Sequence, residues 1–129
     1  MTPEIKWLAW SVILGLVYVF FAATLATLQR GLQWNAGNRD GVPPPLNAHA
    51  ARAERASRNF LETFPFFAAI ALAVVVTKSG NAQTAMGAQI YFWARLVYLP
   101  VYVIGIPYLR SLVWAASFWG LLQMLYALL

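Results

Sequence analysis

The chain has 129 residues, of which 61% are hydrophobic and 10% are charged, and its formal net charge is +5. About a quarter of the residues in a typical soluble domain are charged, so this composition excludes an ordinary soluble domain and indicates a helical membrane protein. The chain has no cysteine, which excludes disulfide bonds, thiolate metal sites and a cysteine nucleophile. Thiol chemistry in this protein therefore requires a thiol that arrives with a ligand.

Four apolar segments predict four transmembrane helices in a single domain, residues 1–129, because a helix needs about 20 apolar residues to cross a hydrocarbon core. The predicted spans cover about 3–30, 47–77, 84–105 and 108–129. The first span contains an uncharged run from Trp7 to Leu28 without an A-x-A-like cleavage site, which favours a retained helix over a signal peptide. The expected fold class is an all-α, four-helix membrane bundle.

The segment 31–46 separates the first two predicted helices and contains several Gly and Asn residues and the triplet Pro43–Pro45. This composition predicts turns and extended chain with no helix. Loops of this length are often functional lids. Asn47 follows the loop, and we expect its side chain to cap the start of the second helix.

Basic residues are distributed unevenly between the two ends of the predicted helices. One end has only Lys6 and Lys78, whereas the other carries Arg30, Arg39, Arg52, Arg55, Arg58 and Arg110. Lys and Arg accumulate on the cytoplasmic side of membranes. We therefore expect the loop 31–46 and the 106–110 connection in the cytoplasm and both termini on the opposite side. The positive charge then reflects orientation in the bilayer, and no nucleic-acid partner is predicted.

Polar residues inside predicted membrane helices are costly and indicate a function. The second helix carries four of them at spacings i, i+3, i+4 and i+7, namely Arg55, Arg58, Asn59 and Glu62. These positions share one helix face, and Arg58 and Glu62 are expected to form an i, i+4 ion pair. An alternative interpretation is a structural clasp that holds the helices together.

Two further polar clusters follow in the chain. The third helix contains Arg95, Tyr98 and Tyr102, and the fourth opens with Arg110 and Ser111. Glu62 and Arg95 are expected to neutralise each other or adjacent helices. The alternatives are that the two tyrosines only pack in the core and that Arg110 anchors the helix end at the interface. Interface anchoring is the simplest interpretation of Arg30, Arg39 and Arg52, and a lone His49 predicts no metal site.

The run 52–66 resembles the second-helix signature of the MAPEG family, the membrane-associated proteins in eicosanoid and glutathione metabolism. Members typically show R-A-x-x-N-x-x-E-x-x-P there, and this chain has R-A-S-R-N-F-L-E-T-F-P from Arg55 to Pro65. The third- and fourth-helix clusters resemble the family's later motifs in the same order. The similarity covers the whole chain, including its length and its loop placement.

The resemblance implies a homotrimer that binds glutathione, as co-substrate, between adjacent subunits near the cytoplasmic face. Carried over by position, the residues that hold the tripeptide's charged ends are Arg55, Arg58, Asn59 and Glu62, with Arg30 contributing from the first helix. The resemblance also implies that Arg95, Tyr98 and Tyr102 complete the wall of the site. Arg110, with Ser111, would face the sulfur and act as the catalytic residues.

The activity that this resemblance implies is a glutathione transferase that acts on hydrophobic electrophiles, with reduction of lipid hydroperoxides as an additional activity. Trp114 departs from the family pattern, because some synthases have an aromatic hydroxyl at this position, one turn after the arginine. A specialised eicosanoid isomerase is therefore not expected. The alternatives are a non-catalytic scaffold or ligand-binding protein and a small transporter, which is disfavoured because the polar residues gather at one membrane face.

Overall fold

The computed structural model describes residues 1–129 and is all-helical, with four long helices and one short one. In chain order the helices are α1 (Pro3–Arg30), α2 (Leu32–Ala36), α3 (Ala48–Val76), α4 (Ala82–Ile104) and α5 (Pro107–Tyr126). Each long helix corresponds to one apolar segment of the sequence.

The segment 31–46 differs from its prediction as turn and extended chain, because the five residues of α2 lie within it. Gly31 separates α1 from α2 with a φ of 92°, a conformation that costs glycine little because it has no Cβ. Gly37 closes the short helix through a hydrogen bond from its N–H to the carbonyl of Gln33. The prediction missed this short helix because it was based on the Gly, Asn and Pro content of the whole segment.

The ends of the long helices are fixed by side-chain caps. Asn47 accepts a hydrogen bond from the backbone N–H of Ala50 at 2.9 Å, which confirms its predicted role as the cap of α3. At the start of α4, Asn81 and Thr84 form a reciprocal capping box. Thr84 also donates to the carboxylate of Glu4 at 2.6 Å, so this cap links α4 to the first turn of α1.

The closest helix pair is α4 and α5, which run antiparallel and are joined by a turn at Gly105 and Ile106. Their backbones approach closely where Gly87 faces Gly120, since a Cβ added to Gly87 would lie 2.6 Å from the Gly120 carbonyl oxygen. α1 and α3 pack against each other, and both also pack against α4. The hairpin therefore brings the start of α5 beside the end of α4.

Aromatic rings fill much of the core. Tyr18 stacks on Phe60 with centroids 4.6 Å apart, and Phe67 stacks on Tyr91 at 4.1 Å. The outer surface, in contrast, exposes many large apolar side chains, for example Phe20, Phe66 and Leu112. Extended exposed apolar surfaces of this kind mark contact with lipid or with other chains. By length and composition, α1 and α3 are each able to cross a membrane.

Candidate functional site

A cleft of about 300 Å³ opens where α3, the end of α4 and the start of α5 meet. It is lined by Asn59, Tyr98, Tyr102, Arg110, Ser111 and Trp114, and we call it the tyrosine cleft. Five of these six residues belong to the set that the sequence singled out. The α4–α5 turn is what brings them together, because it places the arginine and serine of α5 opposite the tyrosines of α4.

Tyr102 lies at the centre of the contacts in the tyrosine cleft. The guanidinium carbon of Arg110 lies 4.9 Å from the centroid of its ring, within the range of a cation–π interaction. Its hydroxyl accepts a hydrogen bond from Nε of Arg55 at 3.3 Å, and the ring of Tyr98 meets it edge-on with centroids 5.4 Å apart. One phenol is thus held between two arginines, which makes this wall of the cleft positively charged.

Two polar groups of the tyrosine cleft are available to a ligand. Oδ1 of Asn59 is buried and has no hydrogen-bond partner, although leaving such an acceptor unpaired costs about 1–3 kcal/mol. Ser111 is exposed, and its hydroxyl donates a long hydrogen bond of 3.3 Å to the carbonyl of Pro107. An N–H of a ligand would satisfy the asparagine, and the serine hydroxyl can turn toward an anion.

Arg95 lies behind the wall of the tyrosine cleft and is fully buried. Its guanidinium carbon is 4.3 Å from the ring centroid of Tyr98, 5.4 Å from that of Phe60 and 5.9 Å from that of Tyr18. None of its three side-chain nitrogens has a hydrogen-bond partner. Of the two expectations for Glu62 and Arg95, that they neutralise each other is wrong within the chain, since aromatic faces surround the Arg95 charge. The other, that they neutralise adjacent helices, stays a prediction.

The predicted ion pair between Arg58 and Glu62 is also wrong, because Arg58 pairs with Glu54 at 3.3 Å. Both carboxylates lie four residues from the arginine. A glutamate that precedes its cationic partner is the more favourable order along a helix, so the structure has the better of the two pairs. Glu62 is left exposed and without an ion-pair partner.

The glutamates lie on the side of α3 that faces α1. A second cleft, of about 370 Å³, is lined there by Ala22, Glu54, Ser57, Arg58, Leu61 and Glu62. Arg30 lines an adjacent cleft of about 230 Å³ that also includes Glu54, and its Nε donates to the carbonyl of Pro44 at 2.8 Å. We call Arg30, Glu54, Arg58 and Glu62 the glutamate face. Within one chain, the predicted site residues are thus divided between this face and the tyrosine cleft.

Three contributors were not identified as functional from the sequence. Tyr18 donates its hydroxyl to the carbonyl of Arg95 at 2.5 Å. The signal for it was a tyrosine in an otherwise apolar run of α1, residues 12–23. Glu54 pairs with Arg58, and Arg52, interpreted as an interface anchor, donates through Nε to the carbonyl of Val103 at 3.0 Å.

No group of three or more His, Cys, Asp and Glu side chains that could hold a metal ion is present.

These features define a small all-helical protein with an apolar exterior and a cationic, tyrosine-lined cleft at the end of its helices. Such a cleft suits a polar ligand that carries carboxylates. The sequence model of the MAPEG family matches residues 7–129, so the chain belongs to the MAPEG family. It is accordingly a membrane protein of a family concerned with glutathione and eicosanoid metabolism. No curated protein and no solved structure matches the chain significantly.

Proposed function

We propose that this protein is a membrane-bound glutathione transferase that joins the thiolate of glutathione to hydrophobic electrophiles. The observation that carries the proposal is the tyrosine cleft, in which Arg110 and Ser111 lie beside a phenol held by Arg55. Glutathione has two carboxylates, one ammonium group and one thiol. Arginine forks suit carboxylates, and a cleft lined by Arg110, with Arg55 bonded to its Tyr102, matches part of this charge pattern.

The chemistry follows from the position of Arg110. A positive charge near a thiol lowers the pKa of the thiol and favours the thiolate, which is the nucleophile. On binding, the thiol loses its proton to solvent, and the serine hydroxyl of Ser111 can donate to the sulfur. The sulfur lone pair then forms a bond to the electrophilic carbon, while the displaced group leaves with its electron pair or the added anion takes a proton from water.

The glutamate face supports a site that is shared between subunits of a homotrimer. It carries the carboxylate of Glu62, which suits the ammonium group of glutathione, but in one chain it adjoins α1, whereas the sulfur-binding end adjoins α4 and α5. In the trimer, the glutamate face of one subunit would adjoin the tyrosine cleft of the next. Arg30 and Arg58 would then bind a carboxylate, and Arg95 would support the wall through Tyr98.

Four membrane-spanning helices with the site at the cytoplasmic side complete the proposal. The uneven distribution of arginines along the chain supports this orientation. An apolar groove between α4 and α5, lined among others by Ile90, Trp93 and Val113, gives the bilayer side a surface that a hydrophobic electrophile can contact. Lipid hydroperoxides would approach by the same side. The thiolate would take the terminal peroxide oxygen and become a sulfenic acid, releasing the lipid alcohol after protonation, and a second glutathione would convert the sulfenic acid to glutathione disulfide and water.

The first test is the ultraviolet absorbance of thiolate when glutathione is added to the purified protein in detergent at neutral pH. We expect the signal in the wild type, its loss in Arg110→Ala, and no change in Lys6→Ala, which removes a charge from the first turn of α1. Turnover of a model electrophile should follow the thiolate signal. Binding of glutathione without any thiolate would instead indicate a ligand-binding member without catalysis.

A second test addresses the shared site. Arg110→Ala damages only the tyrosine cleft, and Glu62→Gln damages only the glutamate face. If sites form between subunits, co-expression of the two variants restores some intact sites, because a glutamate face from the first variant can meet a tyrosine cleft from the second. If the co-expressed variants are no more active than each variant alone, the shared site is refuted. The transferase proposal is then still tested separately by the thiolate assay.

A further inference from the structure

At the connection between α4 and α5, one backbone carbonyl lacks its usual hydrogen-bond donor because of a proline in the sequence. In a continuing helix the carbonyl of Val103 would accept a hydrogen bond from the N–H four residues later, but that residue is Pro107, which has no N–H. The carbonyl belongs to the last turn of α4, where orphan acceptors need another donor. Tyr102, which supports Arg110 in the tyrosine cleft, immediately precedes Val103.

Arg52 of α3 supplies the missing donor. Its Nε donates to the carbonyl of Val103 at 3.0 Å. Its guanidinium also lies against Gly105, since a Cβ added there would be 3.1–3.3 Å from the guanidinium atoms. Gly105 has a φ of 92° and ends α4 in the left-handed conformation. One side chain thus holds both a carbonyl in the last turn of α4 and the residue at which the chain reverses.

We propose that Arg52 is a positioning residue, which clamps the α4–α5 turn and thereby sets the place of Arg110. Only Ile106 separates Gly105 from the first residue of α5, so any rotation of this turn moves the first turn of α5 with it. Arg55, one helical turn after Arg52 on α3, holds Tyr102 by its hydroxyl. The two arginines therefore fasten the end of α4 to α3 at adjacent residues, one through the backbone and one through a side chain.

The role of Arg52 in catalysis rests on the proposed transferase function. If loss of the clamp lets the Arg110 charge retreat from roughly 4 Å to roughly 6 Å from the bound sulfur, the thiol pKa rises by about one unit at an effective dielectric constant of about 20. The thiolate fraction near neutral pH then falls up to about tenfold. Because Arg52 need not touch glutathione, its loss should lower kcat far more than it weakens glutathione binding.

The test compares Arg52→Met, which keeps an unbranched side chain but removes the donors, with Arg39→Met as the matched control. Arg39 lies at the same end of the molecule as Arg52, but its side chain donates hydrogen bonds only to Asn35 of the neighbouring α2. Hydrogen–deuterium exchange of peptides covering 101–112, measured without ligand, reports on the clamp alone. The pH dependence of the thiolate absorbance, measured with glutathione, reports on the position of Arg110.

We expect Arg52→Met to raise amide exchange in 101–112 and to shift the thiolate titration to higher pH, with Arg39→Met like the wild type in both. Arg52→Lys, which retains one donor group, should fall between them. If Arg52→Met folds poorly, Arg52→Lys compared with the wild type provides the exchange measurement. Unchanged exchange in the Arg52 variants would overturn the clamp. Faster exchange in a protein whose wild type forms no thiolate would support the clamp and reject the transferase function.

Discussion

Arg95 offers the sharpest test of how this protein holds a charge in its interior. The side chain is fully buried, its three nitrogens have no hydrogen-bond partner, and aromatic rings surround its guanidinium carbon at 4.3–5.9 Å. Two effects oppose each other at this position. The aromatic faces attract the cation, whereas the unpaired donors and the desolvated charge oppose burial. Replacement by methionine removes both effects and keeps an unbranched side chain in the same space.

The magnitudes decide the sign of the expected change. A cation–π contact in a desolvated setting contributes about 2 kcal/mol. The contact with Tyr98, at 4.3 Å, contributes the most of the three, because the attraction weakens with distance. A single unsatisfied buried donor costs about 1–3 kcal/mol, and a guanidinium has five donor hydrogens. Replacing buried charges by apolar groups of similar volume is often neutral or stabilising by about 1–4 kcal/mol. We therefore expect Arg95→Met to be at least as stable as the wild type.

The assay is thermal unfolding in detergent, with Arg95→Ala as the control of the same position. The alanine variant leaves a cavity among Tyr18, Phe60 and Tyr98, and truncation of a large buried side chain to alanine costs about 2–5 kcal/mol. The two variants should thus differ in sign or differ widely in unfolding temperature. A methionine variant that is destabilised as strongly as the alanine variant would refute the reasoning. The guanidinium would then have hydrogen-bonding partners in the assembled protein that a single chain does not supply.

Two further changes test the helix packing and the glutamate face. Gly87→Ala should destabilise the protein by about 1–3 kcal/mol, the cost of overpacking, because its Cβ would lie 2.6 Å from the Gly120 carbonyl oxygen. Gly15→Ala is the control, since its Cβ meets only the ring of Phe60, at 2.8 Å. In thermal unfolding, Gly15→Ala should lose less stability than Gly87→Ala. Glu62→Gln should leave the unfolding temperature unchanged, since Glu62 has no ion-pair partner in the chain, and should weaken glutathione binding measured by calorimetry. A large loss of stability with normal binding would instead favour the structural clasp.

The sequence predicts the helices of this protein better than it predicts the partners of its charges. Apolar runs identify the four long helices because burial and length constrain them strongly, and Asn47 identifies the start of α3 because the cap is a local interaction. The ion-pair partner of Arg58 is harder to predict from the sequence, because Glu54 and Glu62 both lie four residues from Arg58. Only the more favourable local geometry selects Glu54. The burial of Arg95 among aromatic rings depends on tertiary packing, which spacing in the sequence does not contain.

The division of the candidate site follows from the geometry of α3 itself. An α-helix advances about 100° per residue, so Arg58 and Asn59, adjacent in sequence, point about 100° apart, with Arg55 and Glu62 between them. The face predicted from the spacing is therefore real but wide. It is wide enough for Asn59 to line the tyrosine cleft beside α4 and α5 while Glu62 lines the cleft beside α1. Under the proposed function, one glutathione contacts both of these neighbouring clefts, and a second copy of the chain would supply the cleft that the first copy cannot turn toward the same ligand.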